Sequence, residues 1–362
     1  MQKLQPPSLT PQPALHPLIA GWKHFYHRLL GYSYELSLTE LIASGALWLP
    51  RRLLGLVCKT LRKVIGLCGD PLVKVRTPYG LTNMPLSHEL PGYYFRFPLY
   101  DSVINRLGQY IRVQHHRLMC IDVGGNIGDS ALCACLHKGD KYLLIEPTPV
   151  YRTCATANLQ GSPADVEIVD CLVGAVHGEQ KIAAMAGRGT ARFTHSDNAG
   201  LEKVTTIDTL VSTRSHLTPN FIKIDTDGHD LACLQGARQT IKSFTPFVMF
   251  EADSFGNPEY SRNLLDCLQA FSECGYEHML VYSNVGHLVW AGSIAEVASV
   301  AKLLFYQLTS GAIYYDILVV PRNESFIDQE FSFFANSAQH KANSQAARLC
   351  INFMTTPDRS VR

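Results

Sequence analysis

Cys120-Ile121-Asp122-Val123-Gly124-Gly125-Asn126-Ile127-Gly128-Asp129-Ser130 passes from an apolar run into a glycine-rich turn and then into residues that open a helix. Strand, tight turn and helix N-terminus in that order make a seat for a nucleotide-like ligand. Glycine lets the backbone come close, and the free N–H groups at the positive end of the helix dipole face the ligand. The candidate cofactor contacts here are Asp122, Gly124, Gly125, Asn126 and Gly128. The next apolar run, Lys141 to Ile145, ends in Glu146, 24 residues after Asp122. A carboxylate there can accept both hydrogen bonds of a ribose diol. A complete dinucleotide fingerprint would need glycine at position 123, where Val123 stands, and no Walker phosphate loop follows. A glycine turn that serves only helix–strand packing is the structural alternative.

A second stretch repeats the logic. Phe221-Ile222-Lys223-Ile224-Asp225-Thr226-Asp227-Gly228-His229-Asp230 is an apolar strand that ends in an acid and runs at once into a helix. In an open parallel sheet both strand ends lie on one carboxyl edge, where ligands bind. Asp225, Asp227 and His229 are therefore expected to share a crevice with Asp122 and Glu146, joined by Glu251 at the end of the next strand. His229 is the candidate general base, with Asp225 and Asp227 beside it, because histidine is the side chain most readily set to take a proton near neutral pH. Two other readings stay open: Asp227 and Asp230 cap the helix, or Asp225, Asp227, His229 and Glu251 hold a divalent metal.

Strands alternate with helix-length segments through the middle of the chain, which implies a parallel sheet covered on both faces. The expected elements are a strand at Leu72 to Thr77, a helix at about Asp101 to Arg112, helices at Pro149 to Leu159, Asp230 to Ile241 and Tyr260 to Cys274, and strands at Val166 to Val169, Phe221 to Ile224 and Phe247 to Phe250. His278 to Ser283 and Ile313 to Val320 read as late strands around a helix near Ile294 to Leu308, which suggests an antiparallel element at the sheet edge. Between Val173 and Leu201 a loop-like insertion carries Arg188 and Arg192. These are either contacts to an acceptor under a closing lid or solvated loop residues. The aromatics Tyr93 to Phe97 either wall a pocket or pack in the core.

The domain organisation read from these patterns is a proline-rich arm over 1–20, a helical extension over 21–70, a catalytic domain over 71–322 and an irregular tail over 323–362. Around 51–67, leucines and valines fall on one side of a helix and Arg51, Arg52, Lys59, Arg62 and Lys63 on the other. Such a helix either docks on its own domain or lies on an anionic membrane surface. The whole chain, 362 residues with 46% hydrophobic and 17% charged content, can bury a sizeable core, and its net charge of +1 supplies no overall basic field for nucleic acid. Eleven scattered cysteines without paired C-x-x-C spacing suit reduced thiols rather than a zinc site. With no signal-peptide pattern at Met1 to Pro7 and no apolar run of membrane-spanning length, a cytoplasmic location is expected, peripheral to a membrane if the basic helix binds one.

Taken together, Ile121 to Asp129, Glu146-Pro147, Asn158, Val204 to Leu210, Lys223 to Asp230 and Phe250-Glu251 resemble the FkbM family of S-adenosylmethionine-dependent methyltransferases, in order over about Arg76 to Arg322. The resemblance implies a class I (Rossmann-like) methyltransferase fold, a mostly parallel seven-stranded sheet with an antiparallel edge strand. It implies S-adenosyl-L-methionine as cofactor and O-methylation of a hydroxyl on a sugar, polyketide or related small molecule. By resemblance Asp122 and Gly124 sit beside the methionine part of the cofactor, Glu146 holds its ribose, and Asp225 and His229 face donor and acceptor. Two departures stand out: Asp227 and Asp230 occupy positions where the family often has glutamate, and neither the N-terminal segment nor the tail has a counterpart. The alternatives are a nicotinamide-dependent oxidoreductase, disfavoured by Val123, and a cofactor-binding interaction module without turnover.

Overall fold

The structure, a computed structural model, describes residues 69–186, 191–195, 199–254, 257–310, 314–322 and 324–337, together with a few residues between 57 and 65. The chain divides into two units, Met1–Pro71 and Leu72–Arg362. In the first, Val57, Thr60, Leu61, Arg62, Val64 and Ile65 are helical. The proline-rich arm and most of the helical extension lie outside the described residues.

The second unit opens with a hairpin, β1 (Leu72–Thr77) and β2 (Gly80–Pro85), followed by α1 (Leu90–Arg96) and α2 (Ser102–His115). Then come β3 (Met119–Val123), α3 (Asp129–Cys133), β4 (Lys141–Ile145), α4 (Pro149–Leu159) and β5 (Asp165–Val169). The segment expected as a loop-like insertion instead forms strands: β6 (Leu172–Val173), β7 (Gly178–Ala186), β8 (Ala191–His195) and β9 (Leu201–Thr205) make a separate sheet in the order β6-β9-β7-β8. After α5 (Ile207–Ser212) and β10 (Phe221–Ile224), the expected single helix from Asp230 is two, α6 (Asp230–Gln235) and α7 (Arg238–Phe244). The break falls at Gly236, where an added Cβ would stand 2.2 Å from the carbonyl oxygen of Gly174. The second helix is started by Asp208, which accepts the N–H groups of Gln239 and Thr240. The chain closes with β11 (Phe247–Ala252), α8 (Tyr260–Glu273), β12 (His278–Ser283), β13 (Leu288–Ser293), α9 (Val297–Ser310), β14 (Tyr315–Val320) and α10 (Phe326–Ser337).

The main sheet runs β13-β12-β14-β11-β10-β3-β4-β5. From β5 to β11 all pairings are parallel; β14 is antiparallel to both β11 and β12. This mostly parallel α/β sheet supports the class I methyltransferase fold, with two differences from the expected pattern. It has eight strands rather than seven, because the turn at Asn284 to Gly286 returns the chain as β13. The antiparallel β14 lies inside the sheet, between β11 and β12, as well as an antiparallel pair at the edge.

Strand alternation builds two cores. Ile121, Val123, Leu143, Ile145, Ile222, Val248 and Phe250 pack with α5 to α9, whereas Cys120, Tyr142, Leu144, Phe221, Phe247 and Met249 pack with α2 to α4 and α10. Burying each such aliphatic or aromatic side chain contributes about 1.5–3 kcal/mol against chain entropy. The last helix belongs to this second core. The tail after about Asn323, expected to be irregular, contributes α10: Phe326 is fully buried, and Glu330 takes a two-pronged ion pair from Arg106 at 2.5 and 2.7 Å plus the Tyr282 hydroxyl at 2.9 Å. Its polar composition hid a helix whose buried charge is matched from β12 and α2, far away in sequence.

Candidate active site

Strand order reverses between β3 and β10: β4 and β5 extend one way, β11 the other. The carboxyl edge at such a switch point is open because the two connecting turns diverge. Both glycine-bearing turns meet there. Gly124 has a positive φ of 80°, and an added Cβ would lie 1.9 Å from the carbonyl oxygen of Asp225, so only glycine lets the turn after β3 pass the turn after β10. Gly125 is closed in a second way, since its Cβ would stand 2.3 Å from the Leu144 side chain. Asn158 braces the same turn, donating to the carbonyls of Ile127 and Asn83 while its own oxygen accepts the Asn83 N–H.

Two clefts open on either side of this junction. The first, of about 620 Å³, is lined by Gly124, Asn126, Glu146, Asp225, Asp227 and His229, with Ile145, Leu172, Val173 and Ile182 as apolar wall. Glu146 is 5% exposed, and its two oxygens accept the N–H groups of Asn126 at 2.9 Å and Thr148 at 2.7 Å. A carboxylate has about four lone-pair positions. Two are used in fixing the side chain, and the others remain for a ligand. Burial raises the pKa of Glu146, against the opposing pull of those two N–H groups and Arg152.

The second cleft, of about 1270 Å³, shares Gly124, Asn126, Asp225 and Asp227 with the first and continues past Lys223 to Glu251, Tyr314 and Asp316, with Tyr93 and Tyr100 on its wall. Its floor is set by alternation on β10, β11 and β14. Lys223 and Asp225 fall on one face, and Glu251 stands opposite Asp316 in the β11–β14 ladder. Lys223 Nζ donates to Asp225 at 2.8 Å and lies 3.9 Å from Asp122. Burial works against the charge of this lysine, but Asp225, Asp122 and Asp101 together hold its pKa well above the usual value.

Asp122 requires a correction. It was expected beside the cofactor, yet it is 0% exposed and lines neither cleft. Its position in β3 turns the side chain into the second core, where it accepts the Tyr142 hydroxyl at 2.8 Å and burial lifts its pKa to about 6. From there it faces the site through Lys223, 3.9 Å away, and through the charges of Asp129 and Asp225. The expected common crevice is likewise divided: His229 lines the first cleft, Glu251 the second, and Asp225 and Asp227 both. His229 is the N-cap residue of α6, but its side chain makes no capping bond. Asp230 closes the turn, accepting from the Thr226 hydroxyl and the Gly228 N–H. Among the described residues no group of three acids, histidines or cysteines is gathered as for a metal ion. Arg188 lies outside the described residues, and Arg192 sits in β8 opposite Met185. The insertion reaches the first cleft through Ile182.

Sequence reasoning passed over Asp316, Tyr314 and the role of Lys223. The alternation of Lys223 with Asp225, and of Asp316 with Leu318, was the available signal. Which strands stand side by side was not.

Residues 122–278 match the family model for the Methyltransferase FkbM domain. Over these residues the chain is similar to the FkbM methyltransferase domain. Its matched segment begins at β3 and ends at the start of β12, so it contains both glycine turns, Glu146 and Glu251. Hexuronic acid methyltransferase AglP of Haloferax volcanii is 27% identical over 146 residues, which are 40% of this chain and 59% of that protein. The chain thus spans less than two thirds of this relative's length. Among solved structures, Methyltransferase FkbM from Methylobacillus flagellatus KT shares 19% identity, with 52% of this chain and 46% of that one covered and a TM-score of 0.34. Precorrin-6y C5,15-methyltransferase from Geobacter metallireducens GS-15 shares 12% identity over 60% and 87% of the two chains, with a TM-score of 0.31. Scores this low say nothing about function, and the FkbM assignment rests on the family match.

The first cleft fits the cofactor that the family resemblance implies. The backbone at Gly124 leaves no room for a side chain, the Glu146 carboxylate is held rigid with acceptor capacity to spare, and an apolar wall stands opposite for a flat base. No described helix is long and apolar enough to cross a membrane.

Proposed function

We propose that the protein transfers the methyl group of S-adenosylmethionine to a hydroxyl of a sugar or related small molecule. The observation that carries this reading is the pair of clefts joined at Gly124 and Asp225: one suits a nucleoside, and the other is lined by acids and tyrosines beside it. In this reading Glu146 accepts the ribose hydroxyls, the backbone at Gly124, Gly125, Asn126 and Gly128 lies against the cofactor, and Ile145, Leu172 and Ile182 exclude water from its base. When bound, S-adenosylmethionine supplies a methyl group already activated on a positive sulfur. The protein's remaining tasks are to align an oxygen with that methyl, to keep water out and to remove a proton. Asp225, fixed by Lys223 and shared by both clefts, stands at the passage between them and is the residue in this reading that orients the acceptor toward the donor. The relative named as a hexuronic acid methyltransferase supports the sugar class of the acceptor and not its charge.

Calorimetric titration tests the cofactor. S-adenosylmethionine and S-adenosylhomocysteine are expected to bind and NAD not to. Glu146→Ala should weaken binding at least about tenfold, the loss of hydrogen bonds to a charged group. Binding of NAD in place of the other two would replace this reading with an oxidoreductase.

A further inference from the structure

On the reading that the first cleft takes S-adenosylmethionine, we propose that the far end of the second cleft is the acceptor site, that it takes an uncharged, hydroxyl-bearing molecule rather than a carboxylate or an amine, and that Glu251 paired with Asp316 receives the hydroxyl proton. The near end of this cleft belongs to the glycine turn. Glu251 and Asp316 stand on β11 and β14, two and three strands away from β3, roughly 10 and 14 Å at ordinary strand spacing. Residues directly opposite in an antiparallel ladder share a face, so the two carboxyl groups stand side by side. Glu251 is 8% exposed, lines the cleft, and its Oε2 is buried without a hydrogen-bond partner in the protein. Leaving such an atom unmatched is costly. A ligand hydroxyl donating to it would satisfy it.

Charge selects the ligand. Among its described residues the cleft carries seven carboxyl groups against Lys223 as its single lysine. A carboxylate or phosphate entering here meets like charge. An amine would be attracted, but the same field would hold it as ammonium, which has no lone pair with which to take a methyl group. A neutral hydroxyl escapes both penalties. So many acids in one cleft also cannot all be ionised: burial, with Asp225, Asp230, Asp316 and Asp227 adding to it, pushes Glu251 well above the usual carboxylate range, and burial with Asp225 lifts Asp316 to about 7 although Lys223 opposes it. Neutral and ionised carboxyls side by side can donate to and accept from a polyol, and Tyr93, Tyr100 and Tyr314 line the same cleft.

The step balances. The acceptor O–H bond breaks with its proton going to the Glu251–Asp316 pair, which enters the step with one carboxyl ionised and leaves it with both neutral; the oxygen lone pair forms the new O–CH3 bond, and the electron pair of the S–CH3 bond stays on sulfur, leaving a neutral thioether.

The test uses the full chain. Calorimetry with S-adenosylhomocysteine comes first, and failure to bind it sinks the underlying cofactor reading rather than this one. The loaded protein is then titrated with methyl glucoside, glucuronate and glucosamine. Methyl glucoside is expected to bind, and glucuronate at least about tenfold more weakly, the size of a single like-charge contact. Glu251→Gln combined with Asp316→Asn should keep the S-adenosylhomocysteine affinity and bring the two sugars within about threefold of each other. With methyl-labelled S-adenosylmethionine, labelled methyl glucoside is expected and label on the glucosamine nitrogen is not, and Glu251→Gln alone should slow the transfer by about 10²-fold or more. Glucuronate bound as tightly as methyl glucoside, label on the glucosamine nitrogen, unchanged turnover in Glu251→Gln, or a loaded protein that binds none of the sugars would each overturn the assignment.

Discussion

Gly124 admits no side chain. Its φ of 80° already disfavours L-residues, and a methyl group there would overlap the carbonyl of Asp225 at 1.9 Å. Gly124→Ala therefore has to part the two turns that form the site. Expected outcomes are a loss of about 2 kcal/mol or more in urea denaturation and loss of S-adenosylhomocysteine binding by calorimetry. A fully stable variant that binds normally would mean that the turns do not touch. At the same scale, Asp122 shows how far a residue's function departs from its motif. It is the acid that follows the apolar run, yet its carboxyl is buried beneath the site, with Lys223 Nζ 3.9 Å away, and that lysine in turn holds Asp225.

Two elements owe their position to buried acids. Helix α10 is fastened by Glu330, fully buried against Arg106 and Tyr282, with the Arg106 guanidinium also lying 3.9 Å from the centre of the Phe333 ring. Removing one partner of a buried pair strands the other. Glu330→Ala is expected to cost about 3–5 kcal/mol in thermal or urea denaturation, with Glu330→Gln costing less. Helix α6 carries Asp230 in its first turn. Burial, then Asp225, lift its pKa to about 7, well above the usual carboxylate range. Because the folded pKa is the higher one, this group favours the folded state most at pH values below about 4. That contribution declines as pH rises from 4 to 7 and is absent above. Asp230→Asn keeps an acceptor for the Thr226 hydroxyl and the Gly228 N–H but cannot ionise. Denaturation at pH 8 should show it about 1–2 kcal/mol more stable than the parent, with little difference at pH 4; a gain at pH 4 alone would contradict the shift.

At the scale of the molecule, every described residue that lines either cleft falls between His88 and Asp316, inside the unit Leu72–Arg362. The chain lacking residues 1–70 is therefore expected to retain S-adenosylhomocysteine affinity within about threefold, a difference of well under 1 kcal/mol. A calorimetric loss of binding would assign the N-terminal segment a direct part in the site. The same architecture accounts for the position of the clefts. Strand order reverses between β3 and β10, the turns on either side diverge, and the glycine-rich approach at Gly124 keeps the two cavities connected.

The sequence by itself determined the strand–turn–helix units at Cys120 and Phe221, the acid at Glu146, the alternation that calls for a covered parallel sheet, and the FkbM resemblance. These are local patterns: a glycine that the backbone needs and a period of two or 3.6 residues stay readable without knowing what packs nearby. It also left traces of the polar floor, since Lys223 alternates with Asp225 along β10. Only the tertiary structure decided that Asp122 faces inward, that His229 and Glu251 belong to different clefts, that Asp316 stands beside Glu251, and that a polar tail becomes α10. Each of these depends on which distant strand or helix lies alongside. Pairing across 65 residues, as between Glu251 and Asp316, is fixed by the register of the whole sheet and by buried side chains that must be matched at the same time.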